Sequence, residues 1–219
     1  MSAEIVSLVV AFTGVIGALG GTLVTQRASY RVRQLETEHR RRERSDEISA
    51  ADRRAAQDEK RSTCVELNIA AREFRAASHD CVIQWRTGRE IDSARLDSVR
   101  IHYREVAGKA QMLLSDRSLS VADEVNHSLH LAYTATYGEL RQLLDTPESF
   151  NRFHTWMDGS LVESLRFLRR TLREELGVVA ALEEIDTTCR RFASEREQAY
   201  DRAAYIAMLN RPTSDPNGP

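Results

Sequence analysis

Lysine is nearly missing from this chain. Lys60 and Lys109 are the only two, and arginine supplies the rest of the basic residues. Glycine and proline are both absent between Gly21 and Gly88. Those two residues are the strongest breaks available to a sequence, so a run without either excludes tight turns and hairpins there. Cysteine is scarce and odd in number: Cys64, Cys81 and Cys189 are far apart, with no C-x-x-C among them. That argues against a disulfide framework and fits a reducing compartment with thiols filling core space. Aromatics make up 6% of the chain against 29% charged residues, a balance that suits long helices better than a sandwich or barrel. No stretch alternates polar and apolar residues between turn signals as a strand would. The phosphate-cradling G-x-x-x-x-G-K-[ST] loop, the H-E-x-x-H metal helix and the G-x-S-x-G nucleophile elbow are all missing. Ser160, in Asp158-Gly159-Ser160, has no strand before it and is no nucleophile by pattern.

One long uncharged run is present. Residues 5–25, IVSLVVAFTGVIGALGGTLVT, carry no charge. About 20 such residues cross a hydrocarbon core of about 30 Å as one helix. A cleavable signal peptide fits less well: no basic residue precedes the run, it is long for such a core, and Ala-Leu-Gly-Gly is a poor cleavage site. The expectation is an uncleaved transmembrane helix. Arg27, Arg31, Arg33, Arg40, Arg41, Arg42 and Arg44 all lie C-terminal to it, and basic flanks stay cytoplasmic. The expected topology is an extracytoplasmic N-terminus of residues 1–4 and a cytoplasmic remainder. Inside the span, Ser7, Ala11, Gly14, Ala18 and Gly21 recur at four- and three-residue steps, and Gly17 with Gly21 forms G-x-x-x-G. Such a small-residue stripe lets two helices approach closely in lipid, so self-association is expected there.

Net charge is −2, unevenly placed. Residues 26–61 hold 11 basic and 8 acidic side chains, and the remainder beyond 61 holds 20 and 24. The basic excess therefore lies beside the expected membrane surface, where each Arg gains about 1 kcal/mol from anionic headgroups. These arginines set topology and contact anionic lipid. The Arg40–Arg44 patch has the look of a phosphate-tracking helix, but Glu36, Glu38, Glu43, Asp46 and Glu47 interrupt it. Nucleic acid is therefore not the expected partner.

Residues 26–62 read as an Arg-rich helical stalk with weak coiled-coil character: charge pairs at helical spacing, but no sustained heptad seam. From Cys64 the pattern changes. Leu67, Ala70, Phe74, Ala77, Cys81 and Trp85 make one apolar helix face ending near Gly88. Leu96 to Leu113 repeats the pattern. Ser115-Asp116-Arg117-Ser118 reads as a turn, and Ser120 with Asp123 as a capping box. A third helix then carries Val125, Leu129 and Ala132. Thr146-Pro147-Glu148 signals a helix start. The fourth helix runs from Phe150 to Leu176, with Asp158-Gly159 as a kink and Gly177 as its stop. A C-terminal helix is expected over 178–209, either packed on the rest or projecting, with a disordered tail over 210–219.

The expectation is an all-α protein: a transmembrane helix continuing into a long stalk, then an up-down antiparallel bundle of about four helices over 63–177, plus a C-terminal helix. Candidate chemistry is sparse. Glu124 and His127 form one E-x-x-H, half of what a di-iron bundle needs, and His127 lies off the apolar face. His127, His130, Tyr133 and Tyr137 read as a polar-aromatic rim. His79 and Cys81 lack zinc-ligand spacing relative to Cys64. No catalytic, cofactor-binding or metal-binding residue is therefore expected.

The chain resembles a group of poorly characterised actinobacterial single-pass membrane proteins. The likeness rests on the glycine-rich span, the Arg-rich helix directly after it, the excess of arginine over lysine, and a bundle closing on a motif like Arg173-Glu174-Glu175-Leu176-Gly177-Val178. It covers residues 1–178, and the segment past Val178 is extra to that pattern. The resemblance implies a membrane-anchored bundle and transfers no activity. The expected work is non-catalytic: a scaffold or tether holding an unknown protein partner at the cytoplasmic face. The alternative is a membrane-associated sensor whose bundle binds a small ligand or lipid, with an enzyme third.

Overall fold

The computed structural model describes the backbone of residues 2–137, 140–180 and 184–200, and within those spans the side chains from 37 onward except those of 137, 140 and 143. The described residues are helical, with no strand among them. The helices are α1 (Ser2–Arg86), α2 (Ser93–Leu113), α3 (Asp116–Tyr137), the single turn α4 (Leu140–Leu143), α5 (Pro147–Asp158), α6 (Ser160–Glu175) and α7 (Ile185–Gln198). The chain divides into two compact units, Met1–Gln57 and Asp58–Pro219.

In the first unit, the absence of glycine and proline after Gly21 leaves nothing to interrupt α1. Its described side chains from Thr37 to Gln57 are exposed apart from half-buried Ala50. Ile48, the one large apolar residue there, is 62% exposed. Among the described residues no helix is long and apolar enough to cross a membrane. The span expected at 5–25, with Ala11, Gly14, Gly17, Ala18 and Gly21, lies outside the described side chains, as do Arg27, Arg31 and Arg33.

The second unit is a helical bundle, and every apolar stripe read from the sequence feeds one core. Leu67, Phe74 and Val82 of α1 enter it with Leu96 and Tyr103 of α2, Val125 and Leu129 of α3, Phe153 and Met157 of α5, and Leu161 and Leu168 of α6. Each fully buried leucine in that set contributes about 1.5–3 kcal/mol of transfer free energy. The helix α3 is central: α6 and α7 both lie against it, and α2 touches it as well. The C-terminal helix thus joins the bundle through Ile185 and Phe192, which are buried. Residues 201–219, which include the expected tail, lie outside the described residues.

Helix ends follow local chemistry. Gly88 and Gly177 sit at φ +67° and +69°, where a side chain is disfavoured, and close α1 and α6. At the second, Val178 N–H reaches Arg173 O at 2.8 Å and Gly177 N–H reaches Glu174 O at 2.8 Å, a Schellman closure. Thr146 Oγ1 accepts from Ser149 N–H at 3.2 Å with Pro147 in the first turn, as its sequence implied.

Two expectations need correction. The turn at 115–118 is only Ser115: α3 begins at Asp116, and Ser115 Oγ accepts from Ser118 N–H at 3.4 Å. Ser120 is therefore interior to the helix and bonds back to Asp116 O at 3.1 Å instead of capping. The single fourth helix is in fact two. Gly159, at φ −98° and ψ −90°, separates α5 from α6.

Candidate functional site

Three side-chain constellations stand out in the second unit. The first is a carboxylate lock at the end of α6. Glu175, 8% exposed at its side chain, accepts from Lys60 Nζ at 2.5 Å. Ser115 Oγ and Ser118 Oγ each donate to its other oxygen at 2.5 Å. Burial pushes this carboxyl up, but the bonds from Lys60, Ser115 and Ser118 overcome that and hold it down at about 2. Cys64 lies within the field of this carboxylate. Burial, and secondarily the charge of Glu175, raise its thiol to about 11. Among the described residues, the partners of Glu175 are all donors, and the cluster ties α1 and α3 to α6.

The second is a groove of about 580 Å³ between α1 and α6, open on one side. Its apolar lining is Ile69 and Ala76 from α1 with Val162 and Leu165 from α6, and Ile69 is 46% exposed. Arg72, Arg166 and Arg169 line it with exposed guanidiniums. None of those three makes an ion pair among the described residues. Glu73 is the only acidic residue in the lining among the described residues. The geometry comes from spacing: Val162, Leu165, Arg166 and Arg169 fall at three- and four-residue steps on one side of α6.

The third joins α1 to the end of α5. Asp158 receives Arg75 Nη2 at 2.9 Å on Oδ1. His79 Nε2 stands 3.4 Å from Oδ1, and His154 Nδ1 stands 3.5 Å from Oδ2. The two imidazoles lie 5.3 Å apart between centroids. Phe150 stacks on His154 at 5.8 Å. Among the described residues, His79 Nε2 and Arg75 Nε are shut from solvent without a hydrogen-bond partner. The sequence carried only half-signals here, Arg75/His79 and His154/Asp158, each pair four residues apart. Nothing local announces that α1 and α5 bring them together.

The residues singled out from sequence fall elsewhere. Arg40, Arg41, Arg42 and Arg44 are exposed on α1 in the first unit. Glu124 is buried and paired with Arg196 of α7, while His127 is exposed, so the E-x-x-H does not converge. Burial pushes Glu124 upward, against Arg196, which draws it down. Tyr133 is half-buried at the edge of the core: its hydroxyl donates to Asp97 at 3.0 Å, it faces Phe74, and Arg100 covers its ring at 4.2 Å. His130 is lowered, first by burial and then by Arg100 and His127. The side chain of Tyr137 lies outside the described residues. Ser160 Oγ donates to Glu195 at 2.5 Å and serves as a tie to α7. Cys64 and Cys81 are buried free thiols, and Cys189 is half-buried.

Comparison of the chain with protein-family models, with curated proteins and with solved structures finds no match in any of the three.

Proposed function

We propose that this protein is a non-catalytic, membrane-anchored scaffold that holds a partner protein at the cytoplasmic face through the α1/α6 groove. The observation that carries the reading is the pairing of an apolar floor (Ile69, Val162, Leu165) with three rim arginines that make no ion pair among the described residues. An amphipathic helix buries its apolar face in such a trough, and its acidic flank meets the guanidiniums. The occupant that fits is therefore an acidic amphipathic helix. A trough open along one side favours this docking over the enclosed site that a small-molecule sensor uses. Anchoring rests on the uncharged run at 5–25 and the arginines after it, which orient the chain with its bulk in the cytoplasm. Self-association through the Ala11/Gly14/Gly17/Ala18/Gly21 stripe brings two grooves into one assembly.

Proximity labelling of the full-length protein in its native membrane tests the reading. The expected neighbours carry an acidic amphipathic helix, and the Arg166→Glu/Arg169→Glu variant loses them while keeping its helicity. Deleting residues 1–26 is expected to release the protein from membranes resistant to alkaline extraction. Neighbours unchanged by charge reversal would overturn the docking reading. Full-length protein that fractionates away from membranes would overturn the anchor.

A further inference from the structure

We propose that His79, His154 and Asp158 form a binding site for a divalent transition metal of the zinc class. The argument starts from separations. A tetrahedral zinc ion with ligands at about 2.0–2.1 Å keeps its donor atoms about 3.3–3.4 Å apart. Here Asp158 Oδ1 stands 3.4 Å from His79 Nε2, and Asp158 Oδ2 stands 3.5 Å from His154 Nδ1. All three donor atoms lie within 4.8 Å of one another. Side-chain rotations that close the widest of these separations by up to about 1.5 Å bring them around one ion.

The donor chemistry narrows the metal. Two imidazoles and one carboxylate suit zinc, cobalt or nickel and disfavour magnesium or calcium, which take oxygen. His79 Nε2 is shut from solvent and, beyond its 3.4 Å approach to Asp158, makes no hydrogen bond among the described residues, a state that ligation relieves. His154 is held in orientation by Phe150 stacked against it. Arg75 grips Asp158 on Oδ1 and leaves Oδ2 for the metal, as an outer partner that orients a ligating carboxylate does. Its positive charge opposes a dication, which makes the site weaker than thiolate-rich structural zinc sites. Asp158 is 46% exposed at its side chain, so ions enter from solvent and a water completes the fourth position. Bound metal fastens the C-terminal turn of α5 to α1. Apart from Arg75, this site shares no residue with the docking groove, so either reading stands without the other.

The test uses the full-length chain in detergent micelles, stripped with chelator and titrated with Co²⁺ and then Zn²⁺. One cobalt per chain is expected, with the strong visible absorption of four-coordinate cobalt, and zinc displaces it. Of the six histidines, two are expected to shift their imidazole resonances on zinc addition, those of His79 and His154. His79→Gln and His154→Gln each weaken zinc at least about tenfold, while His39→Gln, on the stalk, leaves it unchanged. The proposal is overturned if the chain shows no saturable binding, if affinity survives both substitutions, or if other imidazoles respond instead. Should either variant lose helicity, the resonances of the unmodified chain decide.

Discussion

Glu175 shows how much one side chain is asked to do in this protein. It receives one lysine and two serines drawn from α1 and the α2–α3 junction. Its folded pKa lies below that of an unfolded glutamate, so its contribution to stability is complete above about pH 4.5 and is lost as pH falls through about 2. The wild-type protein should therefore weaken across that acid range by about 3 kcal/mol from this group alone. Glu175→Gln should lower stability at neutral pH by a similar amount and flatten the acid limb in denaturant titrations at successive pH values. Its neighbour Cys64 gives a second check. With its thiol raised to about 11, alkylation at pH 8 should run at least about a hundredfold slower than for free cysteine, and unfolding should remove the difference. Mass spectrometry of the alkylated peptides reads both rates. Neither property was legible in the sequence. Glu175 belonged to a recognisable motif, but its partners Lys60 and Ser115 come from distant segments, and no local pattern encodes such a meeting.

Individual helices were far more legible. Leu67-Ala70-Phe74 and Val125-Leu129-Ala132 declared their faces by spacing alone, and those faces are buried. Thr146-Pro147 and Gly177 marked ends because capping and positive φ are local matters. Ser120 misled because serine with an acid three residues on is a capping pattern wherever it falls, and Ser115 offered a better-placed hydroxyl. The fate of α7 was open in the sequence, since its sparse apolar face fits either a docked or a projecting helix. Its anchor includes a mostly buried ion pair, Glu124 with Arg196. Removing one partner strands the other charge. Arg196→Ala should cost about 3 kcal/mol in chemical denaturation, and Glu124→Gln on that background should recover part of the loss. An equal cost for single and double variants would mean that α7 is held by Phe192 and Ile185 alone.

At the scale of the whole chain, the second unit owns its core. Every large buried side chain in the principal cluster lies between Cys64 and Ala199. A fragment of residues 58–219 should therefore keep its helicity and melt in one cooperative transition, checked by circular dichroism and calorimetry. Loss of cooperativity would show that residues 1–57 help to hold the bundle. Juxtaposition was hidden at this scale. Nothing within their own helices marks Arg72 and Arg166, and they become a rim only where α1 lies beside α6. His79 lacked zinc-ligand spacing in the sequence for the same reason, since its neighbours in the fold, His154 and Asp158, lie on another helix. Helical periodicity reports which side of a helix is buried and is silent on which helix covers it.

Gly159 has a consequence for how this sequence can change over time. It is the hinge between the helix that carries His154 and Asp158 and the helix that carries Val162, Arg166 and Arg169. Inside either helix, each residue added or removed turns everything beyond it by about 100°, because a helix holds 3.6 residues per turn. Point substitutions on α6 alter one tooth of a gear, whereas a one-residue insertion or deletion within α6 would strip its mesh with α3 and α7 together. The break at Gly159 confines such a slip to one side of the joint, so descendants of the chain are freer to vary in length there than within either helix.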